Sequence, residues 1–149
     1  MGRGAGQLGQ SDRGGGARPG SGRAEAGGVE RAAWLDDWLA IEPDGAIVAF
    51  SGKVELGTGT RTALAQIVAE ELDVPFERVR MVMGDTGRTP NEGYTAGSMT
   101  VQSSGAALRE AAAEARLALL EMASELLDAQ PGELAVQDGV ISVTGDPQR

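Results

Sequence analysis

Gly52-Lys53-Val54-Glu55-Leu56-Gly57-Thr58-Gly59-Thr60, running straight into Arg61-Thr62-Ala63-Leu64-Ala65-Gln66-Ile67, is the stretch on which the fold turns. Its glycines let the chain reverse at low steric cost. Leu64, Ile67, Val68 and Leu72 then fall on one face of a helix, with Thr60 as the expected N-cap. A second stretch of the same kind, Asn91-Glu92-Gly93-Tyr94-Thr95-Ala96-Gly97-Ser98-Met99-Thr100, precedes a long Ala/Leu/Glu helix. Each reversal sets small, hydroxylated residues beside helix N-terminal N–H groups expected to be unpaired, which suits a phosphate or another anionic oxygen. Two such turns so close together in one chain point to a shared ligand.

Upstream of the first turn, Leu39-Ala40-Ile41-Glu42, Pro43-Asp44-Gly45 and Ala46-Ile47-Val48-Ala49-Phe50-Ser51 read as a hairpin, with Asp-Gly supplying the positive φ values of a tight turn. Downstream, Asp73-Val74-Pro75 ends the first helix near Leu72, because the residue before proline avoids the α region. Arg78 to Met83 alternates like a strand and is closed by Gly84-Asp85-Thr86-Gly87. Residues 84–98 form a loop long enough to be functional or mobile in a compact domain. The second helix starts at about Met99 or Gln102, N-capped by Ser98 or Thr100, and runs to Asp128. Leu108, Ala112, Ala115, Leu119, Met122 and Leu126 form its buried stripe, small in the first half so that a neighbour can approach closely. Leu134-Ala135-Val136-Gln137, Asp138-Gly139 and Val140-Ile141-Ser142-Val143 repeat the hairpin logic. The order is hairpin, helix, strand, long loop, helix, hairpin. It defines an α+β fold, a two-layer arrangement of short strands and hairpins with two main helices.

Composition narrows the chemistry. A chain of 149 residues supports one domain with a modest core. The net charge of −9 divides unevenly: residues 1–31 carry +2 and residues 32–149 carry −11. An acidic body lacks the basic footprint of a general nucleic-acid binder. Cysteine and histidine are both absent. That excludes disulfides, thiolate zinc, iron–sulfur ligation within this chain and imidazole catalysis. No apolar run reaches the roughly 18 residues of a membrane span, and no apolar segment follows the first arginines as in a secretory leader. The expected location is cytoplasmic. Residues 1–30 form a Gly/Arg-rich tail expected to be disordered, since it has almost no large apolar side chain to bury. Residues 31–149 are then the folded unit.

Gly57-Thr58-Gly59-Thr60 can be a phosphate cradle or an ordinary strand-to-helix turn. It is not a P-loop, because no GxxxxGK[ST] is present and Lys53 precedes the glycines. Lys53, Glu55 and Arg61 read as a solvated strand and helix edge. Glu70, Glu71, Glu110, Glu114, Glu121 and Glu125 read as solvated helix faces.

The segments from Trp34 through Gln66 and from Gly84 through Gly105 resemble the molybdenum-cofactor-binding large subunit of the xanthine dehydrogenase/aldehyde oxidase family. Within that family the chain looks like the isoquinoline 1-oxidoreductase branch. The resemblance implies an oxidoreductase hydroxylating aldehydes or N-heterocycles with molybdenum-molybdopterin, in the cytosine dinucleotide form common in bacteria. It assigns cofactor binding to Leu56, Gly57, Thr58, Gly59, Thr95, Ala96, Gly97, Ser98, Met99 and Thr100, with no metal ligand from the protein. Thr58 stands where the family has the glutamine of Gly-Gln-Gly, and a hydroxyl on so short a stem reaches less far. The family's catalytic glutamate, in a glycine-rich motif near the subunit's C-terminus, has no counterpart before Arg149. The expectation is therefore a fragment without a catalytic residue, inert alone. Its partners would be the remainder of the large subunit, an iron–sulfur small subunit and a small-molecule substrate, with no nucleic acid and no membrane span. The second reading is a non-catalytic remnant or small interaction protein that retains the fold.

Overall fold

The computed structural model describes residues 34–146 and Gln148. The segment 1–30, expected to be a disordered tail, lies outside the described residues. The elements are β1 (Leu39–Ile41), β2 (Ile47–Ser51), α1 (Thr60–Leu72), β3 (Val79–Met83), α2 (Thr100–Leu127), β4 (Leu134–Gln137) and β5 (Val140–Val143), with short 3-10 turns before β1, β3 and β4. The α+β order expected from the sequence is the order observed.

Hydrogen bonding divides the strands into two sheets, β1-β2-β3 and β4-β5. β1 and β2 pair antiparallel with Ile41 opposite Ile47. β2 and β3 pair parallel, Ile47 with Val79 and Ser51 with Met83, so α1 is the crossover of a βαβ unit. The period-2 alternation of β2 sends Ile47 and Ala49 to the helical layer, where Met81 joins them from β3. There they meet Leu64, Val68 and Leu72 of α1 and Leu108 and Ala112 of α2, of which Leu64, Val68, Leu108 and Ala112 are fully buried. The two helices approach closely at Gly105, where an added Cβ would sit 3.0 Å from Ile67 Cδ1 and 3.6 Å from Leu64 Cδ2.

Several local expectations are corrected. The first hairpin does not use paired positive φ values. Gly45 N–H donates to the Glu42 carbonyl across Pro43-Asp44, and Gly45 alone adopts a positive φ, of 82°. This is a three-residue loop closed by a left-handed glycine. The second hairpin does follow the expectation, with Asp138 and Gly139 at φ 52° and 76°. The buried stripe of α2 is real for Leu108, Ala112 and Ala115 but stops there. Leu119 is half-buried, while Met122 and Leu126 are 60% and 84% exposed. The first sheet and α1 cover only the N-terminal half of this 28-residue helix. Beyond them α2 contacts β5 and the turn before β4, and Arg116 reaches back to the Glu71 carbonyl and Asp73 at the end of α1. A spacing pattern gives the apolar face of a helix but not the length of the partner that covers it.

Candidate functional site

The two glycine-bracketed segments lie side by side. Because β2 and β3 are parallel and in register, both strands end at the same edge, and Gly84 N–H donates to the Ser51 carbonyl there at 3.0 Å. The turn 52–59 and the loop 84–99 both leave from this edge. The carboxyl ends of parallel strands are where open α/β sheets form ligand crevices. The backbones are also laced together: Val54 N–H donates to Thr95 Oγ1 at 2.9 Å, and a Cβ on Gly52 would collide with the Pro90 carbonyl oxygen.

At the first turn, an acidic side chain of the chain itself already occupies three of the amides. Gly59, not Thr60, is the N-cap of α1, with φ 76° and no capping side chain of its own. The anion at this helix start is the Glu55 carboxylate. It accepts from the N–H groups of Thr58 (2.6 Å), Gly59 (3.1 Å) and Arg61 (2.8 Å) and from Thr60 Oγ1 (2.9 Å). The Arg61 N–H is the main cause holding the Glu55 carboxyl at about 2. Desolvation opposes it, and the Thr60 hydroxyl and the amides of Thr58 and Gly59 add to it. A carboxylate against helix N-terminal N–H groups is the favourable sign for the helix dipole. Glu55 therefore fills, from within the chain, the role of the phosphate expected there. Leu56, Gly57, Thr58 and Gly59 stay exposed around it.

The solvated-edge reading of Lys53 is likewise corrected, while Arg61 is exposed as expected. Lys53 is only 8% exposed, and its Nζ donates to the carbonyls of Glu92 (2.6 Å) and Tyr94 (3.0 Å). Arg61 donates through a guanidinium N–H to the Met81 carbonyl of β3 at 2.7 Å. Of the glutamates read as solvated faces, Glu71 pairs with Arg109 at 3.0 Å across the two helices.

The second turn is different. Ala96-Gly97-Ser98-Met99 is closed by Met99 N–H donating to the Ala96 carbonyl at 3.4 Å, with Gly97 and Ser98 at φ 64° and 57°. A serine in the left-handed region costs about 1 kcal/mol, and strain of this kind gathers at functional sites. α2 begins at Thr100 with Met99 as N-cap and no side chain capping it, so neither Ser98 nor Thr100 performs the expected capping. Among the described residues, the N–H groups of Gly97, Ser98, Thr100, Val101 and Gln102 have no hydrogen-bond acceptor. Open N–H groups at the start of a long helix suit an anion. Thr95 is half-buried beside it, Ala96 to Met99 are exposed, and Thr100 is buried. Exposed apolar side chains (Val54, Leu56, Tyr94, Met99 and Val101) lie on the same two segments. The described residues hold no carboxylate cluster able to bind a metal ion.

A βαβ unit with an open helix start at its carboxyl edge is a phosphate-binding arrangement in general terms. Residues 8–149 match the molybdopterin cofactor-binding domain, and the chain belongs to that family. It is 51% identical over 104 residues to a nicotinate dehydrogenase subunit of Pseudomonas putida, covering 70% of this chain and 9% of that protein. It is 34% identical over 112 residues to the beta subunit of isoquinoline 1-oxidoreductase of Brevundimonas diminuta, covering 70% and 14%. The fold matches reconstituted CO dehydrogenase from Oligotropha carboxidovorans with a TM-score of 0.67 at 30% identity, over 74% of this chain and 14% of that one. The chain thus spans a small fraction of the length of these relatives, and the family resemblance read from the sequence is borne out. No helix among the described residues is long and apolar enough to cross a membrane.

Proposed function

We propose that this chain is the part of a molybdenum hydroxylase large subunit that grips the anionic end of its molybdopterin cofactor, in an oxidoreductase acting on N-heterocycles or aldehydes. The observation that carries the reading is the set of open amides from Gly97 to Gln102 at the carboxyl edge of β2 and β3, within a chain of this family. These donors fit a phosphate of a dinucleotide, which favours the cytosine dinucleotide form of the cofactor. When bound, the cofactor supplies the redox and oxygen-transfer chemistry.

The chain's own contribution is orientation by fixed dipoles. The α2 amides and the Thr95 and Ser98 hydroxyls present donors, and Thr100 anchors the helix start in the core. Leu56, Gly57, Thr58 and Gly59 form the opposite wall. Their amide donors at Thr58 and Gly59 are held by Glu55, so this wall contributes shape and the exposed surfaces of Leu56 and Thr58. The exposed apolar side chains on the two segments would be covered by cofactor or by the remainder of the large subunit. An iron–sulfur subunit would take the electrons.

The test is production of the chain in a host that makes the cofactor, followed by molybdenum analysis and assay of cytidine monophosphate released by acid. Molybdenum and nucleotide recovered together support the reading. A chain that retains neither, and that binds no phosphate compound, contradicts it. That outcome would instead support a second reading, a remnant that keeps the fold without the cofactor, in which the Glu55 carboxylate serves the α1 helix start alone.

A further inference from the structure

The face of β2 that carries the buried Ile47, Ala49 and Ser51 continues one step past the strand to Lys53, which is buried as well. A desolvated ammonium is costly unless its donors are used. Here it bonds two backbone carbonyls of the loop, of Glu92 and Tyr94. Glu92 answers in the opposite sense. Its Oε2 accepts from Gly52 N–H and Ser51 Oγ, both at 2.7 Å, and its Oε1 accepts from Ser104 Oγ at 2.6 Å. Each side chain thus holds the backbone of the other's segment, and Ser104 ties the pair to the second turn of α2. The clasp ends at Tyr94 and Thr95, immediately before the left-handed pair Gly97-Ser98. Ala96 to Met99 are all that remains between two fixed points, the clasp and the buried Thr100.

We propose that Lys53 and Glu92 are positioning residues: a reciprocal clasp that holds the Gly97-Ser98 turn in its left-handed form and aims the α2 amides at their anionic ligand. What the amides bind rests on the function proposed above; the clasp itself does not. Neither residue touches the ligand. They act through the loop, because a loop anchored only by its two ends would sample many conformations and present its donors in few of them.

The experiment uses the 149-residue chain and its Lys53→Met and Glu92→Gln variants, with inorganic pyrophosphate as the probe. Amide hydrogen exchange without ligand should accelerate by about tenfold or more at Val54, Met99 and Ser103 in both variants, since these bonded amides report the loop and the helix start, and tenfold is the factor expected from losing one hydrogen bond to a charged group. Exchange at Leu108 to Ala115 should change little. Pyrophosphate affinity at the α2 amides should weaken about tenfold. Exchange that rises uniformly along the chain, or failure of both variants to fold, would overturn the proposal by making the pair a general stability element. Pyrophosphate binding unchanged in both variants would also overturn it. A wild-type chain that binds no pyrophosphate but shows the local exchange change would sink the functional reading and leave the clasp standing.

Discussion

Gly52→Ala is the substitution that most sharply separates a laced pair of segments from two independent loops. Gly52 does not have a positive φ, so alanine meets no backbone penalty of its own. The consequence is steric: the new Cβ would overlap the Pro90 carbonyl oxygen and sit 3.1 Å from the Glu92 N. Both are backbone atoms and cannot swing aside as a side-chain tip would. Forced overpacking of this kind costs about 1–3 kcal/mol. Relief requires residues 90–92 to withdraw, which breaks the Gly52 N–H to Glu92 carboxylate bond at 2.7 Å and the Lys53 to Glu92 carbonyl bond at 2.6 Å. A hydrogen bond to a charged group contributes about 1.5–3 kcal/mol. Strain and bond loss trade against each other, so the net cost is about 3 kcal/mol, which for a domain of this size lowers Tm by roughly 10 °C. Thermal unfolding followed by circular dichroism measures it, with Gly132→Ala as the matched control. Gly132 has nothing within 4 Å of the added Cβ, so its variant should melt at or slightly above the wild-type temperature. Equal melting temperatures for the two variants would refute the close approach of the two segments.

Other outcomes follow from the same geometry. The unfolded chain protonates Glu55 at an ordinary carboxylate pKa near 4.5, whereas the folded chain does so only at about 2. Between these values the unfolded state holds more protons, so the Glu55 contribution is complete above pH 4.5 and is lost as pH falls toward 2. A Glu55→Gln variant should therefore show a flatter acid limb in a urea-midpoint profile; an unchanged limb would count against the helix-start carboxylate. Leu108→Ala removes a fully buried side chain from the helix–helix contact and should cost about 2–5 kcal/mol in denaturant unfolding. Leu126→Ala on the exposed end of the same stripe should cost within about 0.5 kcal/mol. The isolated chain should not turn over an aldehyde or N-heterocycle with an artificial acceptor, and robust turnover would contradict the fragment reading.

Element order was legible in the sequence because hydrophobic period and turn chemistry are local. Leu64, Val68 and Leu72 on one helix face, the alternation of β3 and Asp138-Gly139 at a two-residue turn each depend on neighbours within a few positions. Burial of Lys53 was also within reach, since it continues the period-2 face of Ile47, Ala49 and Ser51. Its charge outweighed the pattern in the reading of an exposed edge. The Glu55 cap was not legible. The carboxylate reaches forward over Gly57-Thr58-Gly59 to the amides of α1, and no short-range capping pattern describes a side chain acting across a left-handed turn. Glu92 had no local signal at all, because its partners Ser51, Gly52 and Ser104 lie on other elements. The difference between the two similar glycine turns was not legible for the same reason: the Glu55 carboxylate sits on the α1 amides, and no described side chain caps α2.

The helix start of α1 already holds the Glu55 carboxylate, whereas that of α2 holds no carboxylate among the described residues, and on this difference the functional reading stands. Titration of the uniformly 15N-labelled chain with pyrophosphate, read at each amide, tests it directly. Saturable shifts are expected at Gly97, Ser98, Thr100, Val101 and Gln102, with Thr58, Gly59 and Arg61 unmoved. Shifts centred on the α1 amides, or none at either helix, would contradict it.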